Sequence, residues 1–188
     1  MNLPNKLTVL RIIMIPLFVA MFYVTAVPYN FILSAVIFAL AAFTDFLDGH
    51  IARKYNMVTD FGKFLDPIAD KVLVSTALII MLMPLEAVIL PWYGAICVAV
   101  ILARELIVSG FRLIAAGKGM VIAADKSGKI KTFLTDIAIV VLLVSANLLE
   151  CAPYINLIGR ILLYISTLLT IYSGIECMVK NKGVIASK

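Results

Sequence analysis

The most constraining feature of this sequence is a series of long apolar runs that carry no charge. From Ile12 to Thr44 there is no charged residue, and this stretch is longer than the roughly 20 residues that one helical membrane span needs. The turn-forming residues 27–30 divide it into two spans. Further uncharged runs follow at 72–85, 87–103, 137–149 and 161–175. The pattern predicts an all-α integral membrane protein with six transmembrane helices.

The composition excludes a soluble globular domain. Hydrophobic residues make up 63% of the 188 residues and charged residues 14%, against roughly 45–50% and about 25% in typical soluble proteins. A soluble chain of this length has too much surface to hide that much apolar area. The three cysteines are far apart and lack Cys-x-x-Cys spacing, which indicates neither a disulfide framework nor a zinc site. Nothing in the sequence marks a domain boundary, so we expect one transmembrane domain over residues 1–188.

The lysine and arginine residues fall on one side of the predicted spans. The connections after the first, third and fifth spans contain none of them, and only Arg160 lies near that side. Because connections rich in Lys and Arg stay in the cytoplasm, we expect both termini in the cytoplasm and a multi-pass protein of the cell membrane, in contact with membrane lipid. The net charge of +5 then reflects topology, and no nucleic-acid partner is expected.

Acidic residues are concentrated between the second and third predicted spans. Asp45 and Asp48 are three residues apart at the end of one span, and Asp66 and Asp70 are four apart at the start of the next. Residues at these spacings share a helix face. Since a short turn joins the two spans, both pairs of carboxylates can converge on one cavity facing the cytoplasm. Ionisable groups at membrane depth are functional by default.

Converging carboxylates repel one another unless cations neutralise them. Carboxylate oxygens are hard ligands, which suit Mg²⁺ or Mn²⁺ rather than structural zinc. Two such ions about 3.5–4 Å apart form the usual clamp of phosphoryl-transfer enzymes. Two other interpretations stay open. The acids could be solvated residues paired with nearby basic side chains, or they could form the cation site of a transporter, a class that usually places such groups near the bilayer midplane.

The small and charged residues around the four aspartates form one continuous motif. It reads Asp45-x2-Asp48-Gly49-x2-Ala52-Arg53-x8-Gly62-x3-Asp66-x3-Asp70. This motif resembles the signature of the CDP-alcohol phosphotransferase family at every fixed position. The resemblance implies a membrane enzyme with six transmembrane helices, commonly a homodimer, in which an alcohol displaces CMP from a CDP-linked donor with the help of divalent metal.

The resemblance also implies roles for individual residues. Two divalent cations would be held by four aspartates: Asp45, Asp48, Asp66 and Asp70. Asp70 would also act as the base that takes the proton from the acceptor hydroxyl. The cytidine and diphosphate site would be lined by Gly49, Ala52, Arg53 and Gly62. Asn5 and Thr8 could contact the nucleotide or could cap the first helix.

Three further segments, at 4–11, 104–112 and 127–132, bear on the acceptor. They resemble segments of bacterial family members that transfer a phosphatidyl group from CDP-diacylglycerol to glycerol 3-phosphate. Basic residues on the cytoplasmic side agree with an anionic acceptor, because arginine and lysine bind phosphate. The candidates for this role are Arg104, Arg112, Lys129 and Lys131. The same chemistry with inositol phosphate, serine or phosphatidylglycerol as acceptor stays open, as does a purely topological role for these cations.

Overall fold

A computed structural model of the chain describes residues 2–54, 60–83, 89–118, 120, 126–148 and 152–182. Within these ranges the fold is all-α, as predicted, and contains six helices and no strand. The helices are α1 (Leu3–Tyr23), α2 (Asn30–Lys54), α3 (Asp60–Ile80), α4 (Gly94–Gly117), α5 (Lys126–Ser145) and α6 (Ala152–Lys180).

Three stretches of the described helices are long and apolar enough to cross a membrane. They are Asn5–Tyr23 in α1, Gly94–Gly117 in α4 and Pro153–Lys180 in α6. Many large apolar side chains on the helices face outward, among them Leu106, Leu113 and Leu168, which are each about 70% exposed or somewhat more. In water such a surface would be unstable. The chain is therefore a membrane protein.

The first predicted turn lies where the sequence places it. Helix α1 ends at Tyr23 and α2 begins at Asn30. Tyr29 has a positive φ of 61°, which is the left-handed conformation that reverses the chain direction. The Asn30 side chain donates a hydrogen bond to the carbonyl oxygen of Phe22 at 3.0 Å. This bond ties the start of α2 to the end of α1.

The core is built from two closely packed helix pairs. Helix α1 lies along α2 and also contacts α3, while α5 lies along α6 and also contacts α2. Between α1 and α2, the buried rings of Phe18 and Phe38 lie 5.9 Å apart. Between α5 and α6 the approach is closer, because a Cβ on Gly159 would lie only 2.8 Å from Leu142 Cγ. Only glycine permits that spacing.

Helix α1 determines how α2 and α3 meet. The sequence predicts that α2 and α3 are neighbours, and they are in contact, but α1 packs more extensively against each of them than they do against each other. The first half of α1 therefore lies beside the second half of α2 and the first half of α3. The end of α2 and the start of α3, which carry the aspartates, therefore come together at one end of the bundle.

Candidate active site

One cavity of about 930 Å³ lies at the end of the bundle that carries the aspartates. Carboxylates from two helices line one side of it, and we refer to them as the acidic wall: Asp45, Asp48, Asp66 and Asp70. The two residues of each pair lie on the same helix face, as the spacing predicts. The structure thus brings the four aspartates of the sequence motif to a single cavity.

Two residues of α1 link the two halves of the acidic wall. The Thr8 hydroxyl donates to a carboxylate oxygen of Asp66 and lies 3.4 Å from Oδ2 of Asp48. The Arg11 guanidinium lies 2.8 Å from Oδ1 of Asp45 and 2.5 Å from Oδ2 of Asp48. Arg11 is completely buried and Asp48 is only 2% exposed. A buried arginine therefore supplies part of the positive charge that these carboxylates need.

The contacts of Arg11 with the aspartates were not predicted from the sequence. The aspartate spacing predicts that bound cations neutralise the negative charge of these carboxylates. In the structure, the Arg11 side chain contributes to the neutralisation of two of them. Thr8 and Arg11 are three residues apart and so share a helix face. A threonine and an arginine on one face of a helix at the cytoplasmic end of a span would have been a usable signal.

The donor set of the acidic wall fits a hard divalent cation. All four side chains offer carboxylate oxygens, the ligands that Mg²⁺ and Mn²⁺ prefer, and all four line the same cavity. Among the described residues, no three acidic, histidine or cysteine side chains are close enough together to form a metal centre as they stand. The side chains of Asp45 and Asp48 instead point to Arg11. Binding of a cation would require them to exchange this partner.

A second part of the cavity lining is positively charged. The four basic residues predicted for the acceptor all line it, and Lys71 of α3 joins them. We refer to this group as the basic wall: Lys71, Arg104, Arg112, Lys129 and Lys131. From the sequence, Lys71 is only one of the basic side chains near the acids that could pair with them. No sequence motif marks Lys71, and its place on the basic wall follows from the packing of α3 against α4 and α5.

Glu105 holds part of the basic wall in place. Its Oε1 forms ion pairs with Lys131 and, at 3.2 Å, with Arg104. The second guanidinium nitrogen of Arg104 donates to Ser173 Oγ at 2.9 Å, and the stem of Arg104 packs on Gly174, where a Cβ would lie 3.1 Å from Arg104 Cγ. These contacts from α4, α5 and α6 fix the direction of the two cations.

Lys71 is fixed in a similar way. Its ammonium group donates to Ser109 Oγ at 2.5 Å, and the Ser109 hydroxyl in turn donates to the backbone carbonyl of Glu105. Lys71 and Lys131 are both within electrostatic reach of Asp70. Asp70 and these two lysines also line one small cavity of about 30 Å³, which is room for one or two water molecules. The carboxylate proposed as a base therefore lies close to the basic wall.

A third part of the cavity is apolar and runs between α2 and α5. From α2 it is lined by Phe38, Ala39, Ala42 and Phe43, and from α5 by Phe133, Ile137, Val140 and Val141. This groove continues along both helices from the charged walls toward the middle of the bundle. An apolar channel that opens between helices fits hydrocarbon chains.

Comparison with known proteins decides the family. The family model described as CDP-alcohol phosphatidyltransferase matches residues 1–172. The chain belongs to the CDP-alcohol phosphatidyltransferase family. It is an enzyme, and its chemistry is that of a phosphatidyltransferase.

Several curated relatives cover nearly the whole chain. A Rickettsia bellii protein is 43% identical over 173 residues, which are 92% of this chain and 91% of its own. A Bacillus subtilis protein is 41% identical over 195 aligned residues, which cover 96% of this chain and 95% of its own. A Salmonella paratyphi A protein is 35% identical over 186 residues, with 97% and 96% covered. All three carry the name CDP-diacylglycerol–glycerol-3-phosphate 3-phosphatidyltransferase.

The residues that family resemblance assigns to the nucleotide are described only in part. Asn5 and Thr8 are buried, at 7% and 1% exposure, and Thr8 belongs to the acidic-wall contacts described above. Gly62 is buried on α3. Gly49, Ala52 and Arg53 belong to the last turns of α2, but their side-chain surroundings lie outside the described residues. Their role in this phosphatidyltransferase stays a prediction.

Proposed function

We propose that this enzyme transfers the phosphatidyl group of CDP-diacylglycerol to glycerol 3-phosphate, giving phosphatidylglycerol phosphate and CMP. One observation carries the proposal: an acidic wall, a basic wall and an apolar groove share a single cavity of about 930 Å³. These three surfaces match the three chemical parts of the reactants, which are a diphosphate, an anionic acceptor and two acyl chains. The names of the relatives support the same substrates.

The donor fits along α2. Its acyl chains would lie in the apolar groove between α2 and α5, where lipid can enter sideways from the bilayer. Its diphosphate would reach the acidic wall, and its cytidine would lie beyond it, toward the last turns of α2. Gly49, Ala52, Gly62 and Arg53 would line this nucleotide site, with Asn5 and Thr8 beside it.

The acceptor fits against the basic wall. A phosphate monoester carries close to two negative charges, and arginine and lysine bind it through charge-assisted hydrogen bonds. Arg104, Arg112, Lys129 and Lys131 would bind the phosphate of glycerol 3-phosphate. Since Asp70 and Lys131 line the same small cavity, a three-carbon chain can place its primary hydroxyl at Asp70 while its phosphate stays with the cations.

The reaction is then one in-line displacement. The Asp70 carboxylate takes the proton of the primary hydroxyl, and the hydroxyl oxygen forms a bond to the lipid-bearing phosphorus. The bond between that phosphorus and the bridging oxygen breaks, and the bridging oxygen leaves with CMP. Two Mg²⁺ or Mn²⁺ ions, held by Asp45, Asp48, Asp66 and Asp70, would supply polarisation of the diphosphate and compensation of the charge on CMP. The basic wall keeps the acceptor oriented during this step.

The membrane arrangement follows from the same placement. We expect all six helices to cross the cell membrane as one domain over residues 1–188, with both termini and the charged end of the bundle in the cytoplasm. Support comes from the basic residues, which lie at this end, whereas Arg160 lies at the other and contacts Tyr93. A water-soluble acceptor and a lipid donor can meet only at such an interface. As in related enzymes of this family, we expect a homodimer.

An acceptor panel tests the proposal. Purified enzyme in detergent micelles with CDP-diacylglycerol would be given glycerol 3-phosphate, inositol phosphate, serine or phosphatidylglycerol, and CMP release and the lipid formed would be measured by mass spectrometry. We expect phosphatidylglycerol phosphate from the first acceptor only, and loss of CMP release with a chelator. Formation of another lipid at a higher rate would show that a different compound is the acceptor. Absence of metal-dependent CMP release would refute the proposed reaction.

A further inference from the structure

Asp136 is a cavity residue to which neither the family motif nor the reaction gives a role. It lies on the stripe of α5 that faces the cavity. Toward the start of the helix this stripe is polar, with Lys129 and Thr132, and toward the end it is apolar, with Ile137 and Val140. Asp136 therefore marks the depth at which the charged part of the cavity meets the groove proposed for the acyl chains.

One oxygen of the Asp136 carboxyl group lacks a donor among the described residues. This atom, Oδ1, is buried and has no hydrogen-bond partner there. The charged groups within electrostatic reach are Asp45 and Asp70, which offer acceptors, and Lys131. The Lys131 ammonium is bound to Glu105. Since a buried acceptor without a donor is destabilising, its donor is water before the substrates bind and a ligand group once they fill the cavity.

The reactants differ in what they can donate at this depth. The diacylglycerol part of the donor has only ester oxygens and hydrocarbon, so it donates nothing. The nucleotide site lies away from the groove, toward Gly49 and Ala52, which are one and two turns beyond Asp45 on α2, or about 6 Å and 10 Å along the helix axis. The acceptor has two hydroxyls, and the primary one is engaged by Asp70. Only the middle hydroxyl of glycerol 3-phosphate is left.

We propose that Asp136 accepts a hydrogen bond from the middle hydroxyl of glycerol 3-phosphate and so makes the enzyme specific for a vicinal diol phosphate. This inference rests on the proposed function and adds a specificity-determining residue to it. An acceptor that lacks the middle hydroxyl leaves the Asp136 oxygen unpaired, and sites built to bind a hydroxyl discriminate strongly against such analogues. Leaving a buried acceptor without its partner corresponds to roughly a 10- to 100-fold preference.

The test compares two acceptors in four proteins. The values of kcat and KM are measured for glycerol 3-phosphate and for 3-hydroxypropyl phosphate, which lacks only the middle hydroxyl. The proteins are the wild type, Asp136→Ala, Asp136→Asn and, as a control, Thr167→Val, whose hydroxyl donates to the Leu163 carbonyl and which is not among the described residues that line the cavity. We expect the wild type to prefer glycerol 3-phosphate by about 10-fold or more. In Asp136→Ala this preference should disappear, mainly through KM, while the rate with the analogue changes little.

The other variants keep the inference falsifiable. If Asp136→Ala does not fold, Asp136→Asn keeps the shape but replaces one carboxyl oxygen by an amide donor, so the preference should fall several-fold. Thr167→Val should leave the preference as in the wild type. Equal losses with both acceptors in the Asp136 variants would overturn the inference and leave the reaction intact. Absence of transfer to glycerol 3-phosphate by the wild type would overturn the proposed function, and this inference with it.

Discussion

Replacing Arg11 by methionine should make the stability of this protein depend strongly on divalent cations. Arg11 is fully buried and contacts Asp45 and Asp48 at 2.8 Å and 2.5 Å. Methionine keeps the apolar stem of the side chain but removes the charge. Asp48, at 2% exposure, then loses this cation, and breaking a buried ion pair costs about 3–5 kcal/mol. Asp45 is 44% exposed, so water screens its charge and its contribution is small.

This loss is large enough to measure as thermal unfolding. For a chain of this size, 1 kcal/mol corresponds to roughly 2–4 °C in Tm, so the variant should melt about 6–20 °C below the wild type in the presence of a chelator. Excess Mg²⁺ or Mn²⁺ should raise the Tm of Arg11→Met by more than it raises the Tm of the wild type, because in the variant the cation replaces Arg11 in neutralising the aspartates. Far-UV circular dichroism of the purified protein in detergent follows the transition.

Arg160→Met provides the matched control. Arg160 lies at the other end of the bundle and donates to the neutral Tyr93 hydroxyl at 3.0 Å. Its loss should cost only about 1 kcal/mol, as for an ordinary hydrogen bond, and the cost should not change with divalent cations. If Arg11→Met and Arg160→Met lower Tm equally, or if cations stabilise all three proteins by the same amount, Arg11 does not balance the acidic wall as we argue.

Three further substitutions test the parts of the cavity separately. Asp70→Asn should lower the transfer rate by about 10²- to 10⁴-fold while Mg²⁺ still raises Tm, and full turnover in this variant would exclude Asp70 as the base. Arg112→Ala should raise KM for glycerol 3-phosphate by about 10-fold with little change in kcat. Lys118 is not among the described residues that line the cavity, so Lys118→Ala should leave this KM unchanged. Equal increases of KM in both variants would argue against a phosphate site at Arg112. Ala39→Trp should raise KM for CDP-diacylglycerol because the ring fills the apolar groove. Leu40→Trp, at the neighbouring position that faces lipid, should leave this KM unchanged. Similar KM values in the two variants would place the acyl chains outside the groove.

Much of the fold could be predicted because apolar length and charge position act locally. A run without charge has to be helical in lipid, since every backbone polar group must be bonded within the segment. For that reason the sequence predicted an all-α membrane protein and the turn near Asn30. The pairing of helices could not be predicted, because the exposed faces of such helices are uniformly apolar and carry no signal for a partner.

The candidate site also has features that could be predicted from the sequence and features that could not. Helical spacing alone predicts that Asp45 shares a face with Asp48, and Asp66 with Asp70. The contacts of Arg11 and Thr8 with these aspartates join positions that are about 40 to 60 residues apart in the chain. Spacing has no information over such distances, so the shared face of Thr8 and Arg11 marks them as candidates but does not say which aspartates they contact.

The sequence by itself determined that this chain is helical, that it belongs in a membrane and that its aspartate motif has the chemistry of a CDP-alcohol phosphatidyltransferase. The first two properties follow from side-chain hydropathy and from the period of the helix, which each segment carries alone, and the third rests on the resemblance of the motif to that of the family. Only the tertiary structure decided what surrounds the motif. Packing of α1 against both α2 and α3 put Arg11 among the carboxylates, and packing of α5 against α2 set Asp136 and an apolar groove opposite them, because side chains from separate helices meet only when the helices pack.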